Sequence, residues 1–142
     1  MMAIINGKRY NTEAAELCGI VDNDLYDERG LNEMLYQKRT GEFFLVRSDN
    51  TTSFEGAIIP LTFEEAYNWG NENLPDSEFE QYFCPEKLDK TTFKPLSIRM
   101  TEQGYGLVRR QAAKENRSMP EVLNDIIIKA LSETEKREEK LR

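Results

Sequence analysis

Between Lys94 and Leu131 the hydrophobic period changes from two to about 3.6, and the module so defined is too small to close a core alone. Leu96, Ile98 and Met100 alternate with Ser97, Arg99 and Thr101, the pattern of a strand with one apolar and one polar face. Thr101 is a suitable N-cap with Glu102 in the first turn, and a helix through Lys114 sets Tyr105, Val108, Ala112 and Glu115 on one stripe. Gly104 and Gly106 weaken this helix by roughly 1 kcal/mol each against alanine. Asn116 suits the left-handed position that ends it. Ser118-Met119-Pro120-Glu121 then reads as a capping box with proline inside the first turn. Beyond it Met119, Val122, Leu123, Ile126, Ile127, Ala130 and Leu131 make a full apolar face. A module below about 40 residues usually needs a metal, disulfides or a partner chain. A second chain is therefore expected.

Strand, helix, tight turn and capped helix in this order and spacing resemble the ribbon-helix-helix family of DNA-binding proteins, the Arc and MetJ type. The parts that carry the resemblance are Leu96-Ser97-Ile98-Arg99-Met100, Ala112 in the first helix and Ser118 opening the second, about a quarter of the chain. The resemblance implies a homodimer whose strands pair antiparallel and whose helices share one core. The dimer core is then Leu96, Ile98, Met100, Val122, Leu123, Ile126 and Ile127.

It also implies that the two-stranded ribbon enters the major groove of double-stranded DNA and reads base edges with its outward side chains. Those are Ser97 and Arg99, with Lys94 at the margin; Arg99 would donate a bidentate pair to a guanine. Where the family often has a long polar reader two residues before Ser97, this chain has Pro95, which leaves few base contacts. The amides at the start of the second helix, capped by Ser118, would hold a backbone phosphate, with charge added by Arg117 and Lys114.

Charge is distributed in agreement with two tasks. Residues 1–93 hold 18 acidic and 8 basic side chains, a net of −10, whereas residues 94–142 hold 8 and 11, a net of +3. The sequence pI of 4.8 averages the two. An acidic module joined to a basic one is expected, with the basic one facing a polyanion.

Several classes are set aside by what the chain lacks. With no histidine among 142 residues there is no Ser-His or Cys-His pair, no histidine base and no His-bearing zinc site. The two cysteines, Cys18 and Cys84, are too few for a zinc site or a disulfide scaffold, and are read as small buried thiols. Asp22, Asp24 and Asp27 resemble part of a calcium loop, but the glycine and terminal glutamate of that loop are missing. No phosphate-binding glycine loop and no nucleophile motif occurs. The expectation is a protein with no catalytic residues, no metal and no cofactor. No apolar run approaches the roughly 20 residues of a membrane span, and the N-terminus lacks the pattern of a secretory signal, so a cytoplasmic location is expected.

Upstream, Asn6-Gly7 is a turn dipeptide, and residues 11–17, capped by Asn11 or Thr12, read as a short helix. Residues 22–30 read as a loop. Leu31–Gln37 and Phe43–Arg47 flank Lys38-Arg39-Thr40-Gly41-Glu42 as a hairpin, followed by a strand at Ala57-Ile58-Ile59 ended by Pro60. Thr62-Phe63-Glu64-Glu65 is a capping box for a helix to Leu74, with Phe63, Ala66, Tyr67 and Gly70 on one stripe and Trp69 read as core. Residues 76–92 read as a linker with local packing, and Ser132–Lys140 as a helical extension fraying to disorder.

Residues Gly7 to Glu13, the later hairpin and the Thr-Phe-Glu-Glu-Ala helix start look like a small domain of short proteins from mobile elements of Gram-positive bacteria, some anti-CRISPR proteins among them. An acidic, aromatic-bearing module of this kind has three readings. It is a surface that binds a basic protein such as a nuclease or toxin, a nucleic-acid mimic, or a structural partner of the DNA-binding part. The expected architecture is α+β: an acidic N-terminal domain over 1–92 with a β-hairpin and helices, and a ribbon-helix-helix domain over 93–142. The expected function is sequence-specific DNA binding as a dimeric transcriptional autorepressor. The alternative is an anti-CRISPR or antitoxin-like inhibitor whose N-terminal domain binds a protein while the C-terminal domain dimerises or autoregulates.

Overall fold

The computed structural model describes residues 1–22, 31–49 and 56–140, and the chain divides into two compact units, Met1–Thr92 and Phe93–Arg142. The described residues are mixed α+β, with a two-stranded sheet, a four-stranded sheet and four α-helices.

In the first unit β1 (Met2–Ile5) and β2 (Lys8–Asn11) form a hairpin over Asn6-Gly7, both left-handed at φ 51° and 78°, as a tight primed turn requires. The helix expected at residues 11–17 is replaced by a turn and the start of β3 (Glu16–Val21). Asn11 caps that turn rather than a helix: its side-chain oxygen accepts from the Glu13 amide at 3.0 Å. β3, β4 (Leu31–Gln37), β5 (Phe43–Asp49) and β6 (Ala57–Leu61) follow as an antiparallel meander in that order. The connection after β4 closes with the Gly41 amide on the Lys38 carbonyl at 2.9 Å and the Lys38 amide on the Glu42 carbonyl at 2.8 Å. Gly41, at φ 97°, takes the conformation that this bulged three-residue loop needs.

Burial on both faces explains the unbroken apolar run of β5. Phe43 and Leu45 pack with Cys18, Leu35, Ala66, Trp69 and Phe83 beneath the helices α1 (Phe63–Asn73) and α2 (Asp76–Phe83). Phe44 and Val46 pack with Tyr10 and Ile5 of the β1–β2 hairpin on the other face. The meander is thus the middle of three layers, and alternation along β5 is between two cores rather than between core and water.

The strand expected to stop at Pro60 continues to Leu61, with Pro60 opposite Phe44. β6 is an edge strand, so the missing proline N–H breaks no ladder bond. The capping box holds both of its bonds: the Glu65 amide donates to Thr62 Oγ1 at 3.1 Å and the Thr62 amide to Glu65 Oε1 at 3.0 Å.

The expected linker over residues 76–92 is a second correction. Pro75 opens α2, and its Phe79, Tyr82 and Phe83 dock on the core, followed by a single 3-10 turn at Pro85–Lys87. Gly70 allows α1 and α2 to approach this closely, since a Cβ there would lie 2.7 Å from Phe83 Cε2. The polar stretch expected as a loop lies, beyond Asp22, outside the described residues.

The second unit holds α3 (Glu102–Glu115) and α4 (Met119–Lys140). Thr101 caps α3 through the Gly104 amide at 3.0 Å, and Asn116 ends it at φ 53°. The expected strand at Leu96–Met100 is absent: residues 93–101 carry no regular secondary structure in the single chain. A strand exists only by virtue of a neighbour that takes its amides and carbonyls, and among the described residues of this unit there is no second strand. α4 stays helical through Lys140, where fraying was expected.

Candidate nucleic-acid interface

Among the described residues of the second unit only Val108, Ala112 and Val122 are buried. They hold α3 against α4, and Val122 is 1% exposed. Of the remaining side chains assigned to a dimer core, Leu123 is half-buried, and Leu96 (82%), Ile98 (55%), Met100, Ile126 and Ile127 are exposed. Tyr105, Leu107, Ile128 and Leu131 add to the uncovered apolar surface. Tyr105 and Glu115 therefore do not join the buried stripe of α3; both lie in solvent.

A groove of about 560 Å³ runs between α3 and α4, with Met100, Leu107, Val108, Val122 and Ile126 supplying its apolar lining. Arg110, Gln111, Glu115, Arg117, Asp125 and Lys129 supply the polar part. Arg110 and Lys129 were not singled out from the sequence. Their signal was positional: Arg110 follows the buried Val108 by two residues, and Lys129 the groove residue Ile126 by three.

The candidate DNA contacts fall into two groups. Lys94, Ser97, Arg99, Lys114 and Ser118 are all exposed. Among the described residues no ion pair involves Lys94, Arg99 or Lys114. Ser97 and Arg99 alternate with Leu96, Ile98 and Met100, so the sequence separates a polar set from an apolar set at strand spacing.

Arg117 differs from this group. Its Nη2 lies 2.5 Å from Asp125 Oδ2 and its Nε 3.6 Å from Glu121 Oε2. The bond to Asp125 raises the guanidinium pKa above its ordinary value. The cation expected to meet a phosphate is thus already committed to two carboxylates. The Ser118 cap is half of the expected box: the Glu121 amide donates to Ser118 Oγ at 3.3 Å, while the Glu121 carboxylate turns to Arg117.

Among the described residues no group of three or more cysteine or acidic side chains is placed to hold a metal ion, and no helix is long and apolar enough to cross a membrane. Of the partial calcium loop only Asp22 lies within the described residues. Comparison with known proteins finds no family model, no curated protein and no solved structure that matches this chain.

Proposed function

We propose that the chain is a dimeric, sequence-specific DNA-binding protein, a ribbon-helix-helix transcriptional repressor that acts on its own operon. The observation that carries this reading is the uncovered row Leu96, Ile98 and Met100, interleaved with the exposed Ser97 and Arg99 in a segment without a strand partner. A second copy supplies that partner. Pairing of the two segments turns one row inward as a shared floor and the other outward as a pair of readers, and a two-stranded ribbon of this width fits the major groove. Helices of both chains then cover Ile126 and Ile127. The net of +3 over residues 94–142 favours association with a phosphate backbone, which supplies most of the non-specific affinity.

Gel shifts against the DNA upstream of the gene, at two salt concentrations, test the reading. Arg99→Ala should cost roughly 1–3 kcal/mol and relax discrimination at one base position. Lys114→Ala should weaken binding to all sequences and flatten the salt slope by about one. Equal loss on specific and random DNA for Arg99→Ala would remove the base-reading role, and no shift at low salt would remove the function.

A further inference from the structure

Between Phe63 and Phe83 the chain has six carboxylates and no lysine or arginine. Glu64, Glu65 and Glu72 lie on α1, and Asp76, Glu78 and Glu80 on α2. On these helices the aromatic rings do not all turn inward. Phe63 is 63% exposed and Tyr67 40%, although both contact the buried Phe83, at ring-centroid separations of 6.0 and 5.8 Å. Tyr67 also meets Phe79 edge-on at 5.2 Å. The result is a ledge of π surface, backed by Phe79 and Phe83 and open to water.

The ledge is held in place. Phe63 is the first residue of α1, directly after the Thr62 cap, and both bonds of the capping box fix the backbone on either side of it. Tyr67 stands one turn on, braced by two rings. Ordering these side chains on binding therefore costs little additional entropy.

Charge selects among the possible occupants. A second copy would bring the same carboxylates face to face, and a nucleic acid or an anionic lipid surface would be repelled in the same way. A cationic group is attracted: Glu80 is paired with Lys87 and Glu65 holds the Thr62 cap, but among the described residues no ion pair occupies Glu64 or Glu72. Of the two common cations the guanidinium fits better: it is planar, weakly hydrated, stacks on an aromatic face and still donates in-plane to carboxylates. We infer that the α1–α2 ledge of Phe63 and Tyr67 is a docking surface for an arginine-bearing segment of a basic partner protein. This does not rest on the DNA reading, because it concerns the other unit and is measured without DNA.

The test uses the full chain and two fluorescent peptides of equal charge, one alternating glycine with arginine and one alternating glycine with lysine. The arginine peptide should bind more tightly. Phe63→Ala and Tyr67→Ala should each weaken it about 2- to 5-fold, the range for a cation–π contact at an exposed site, and leave the lysine peptide nearly unaffected. Glu64→Gln should weaken both. Tyr67→Leu keeps apolar bulk against Phe79 and Phe83 and removes its π face; a folded Tyr67→Leu chain should show a preference for arginine reduced about 2- to 5-fold. Equal affinity for the two peptides, or ring variants that bind as wild type, would reduce the surface to plain acidity and overturn the inference. A smaller assembly for Phe63→Ala in sedimentation would show that a second copy covers the ledge, which overturns it equally.

Discussion

Arg117, in the turn before α4, is paired with Asp125 farther along the helix at 2.5 Å. The pair ties the turn to α4 and withholds a cation from the proposed phosphate contact at the start of that helix. Asp125→Asn, combined with Glu121→Gln because Glu121 also pairs with this guanidinium, should release it. Affinity for any duplex should rise and the salt slope should steepen by about one phosphate contact. Unchanged slope in the double variant would show that Arg117 does not face the DNA backbone.

Dimer assembly is the most direct test of the proposal at the uncovered apolar surface on α4. Wild type should sediment as a dimer, and Ile126→Asp, which would bury an unpaired carboxylate in the shared core, should break it. A well-folded wild-type monomer at micromolar concentration would contradict the two-chain core.

The division of the chain at Thr92 and Phe93 suggests a cut. Residues 93–142 alone should dimerise and hold the operator at least as tightly as the whole chain, since removal of the acidic part relieves a repulsion from DNA. A fragment that dimerises and binds no DNA at low salt would leave the second unit as a dimerisation device only.

Cys18 offers a pH signature for the first unit. Burial, with a smaller effect from the Glu16 carboxylate, pushes its thiol up to about 12 from 9.0. Between those values the unfolded chain has lost the proton and the native one retains it. The unfolded state then binds fewer protons, so the Cys18 contribution to stability falls as pH rises above about 9 and levels off near 12, while the upward-shifted Tyr82 hydroxyl adds a decline of its own. Cys18→Ala should show a shallower decline in denaturant unfolding over that window. At pH 8 a thiol reagent should label the half-buried Cys84 well before the buried Cys18, and equal rates would place Cys18 outside the core.

Much of this fold was legible where local chemistry decides structure. The Asn6-Gly7 turn, the Lys38–Glu42 connection, the Thr62 box and the Asn116 helix end each depend on a few neighbouring residues, and each is found. Structure is not legible where tertiary contacts decide. Phe79, Tyr82 and Phe83 have helical spacing, but eight residues dense in acids carry little helical signal of their own. Docking beside Gly70 makes α2 stable. The helix read at residues 11–17 failed because Asn11 serves a turn as readily as a helix start, and the choice fell to β3 pairing with β4. At the candidate site the alternation of Leu96 to Thr101 was visible, whereas the absence of a strand in one chain follows from hydrogen bonding that no single sequence supplies. The Arg117–Asp125 pair was hidden for a related reason: its geometry depends on how the turn at Asn116 swings the guanidinium over α4.

The two edges of the four-stranded sheet bear on how safely such chains can be brought together. In the proposed dimer two copies of the sheet are held at high effective concentration, a setting that promotes edge-to-edge zipping and fibre growth. One edge carries Pro60, which offers no N–H to an incoming strand. The other carries an irregular register between Leu17 and Gly19 that bends the outer row of amides away from a flat template. Each edge of the meander thus resists an added strand, so that linking two chains through the C-terminal unit, as proposed, would not be expected to start a polymer through the N-terminal one.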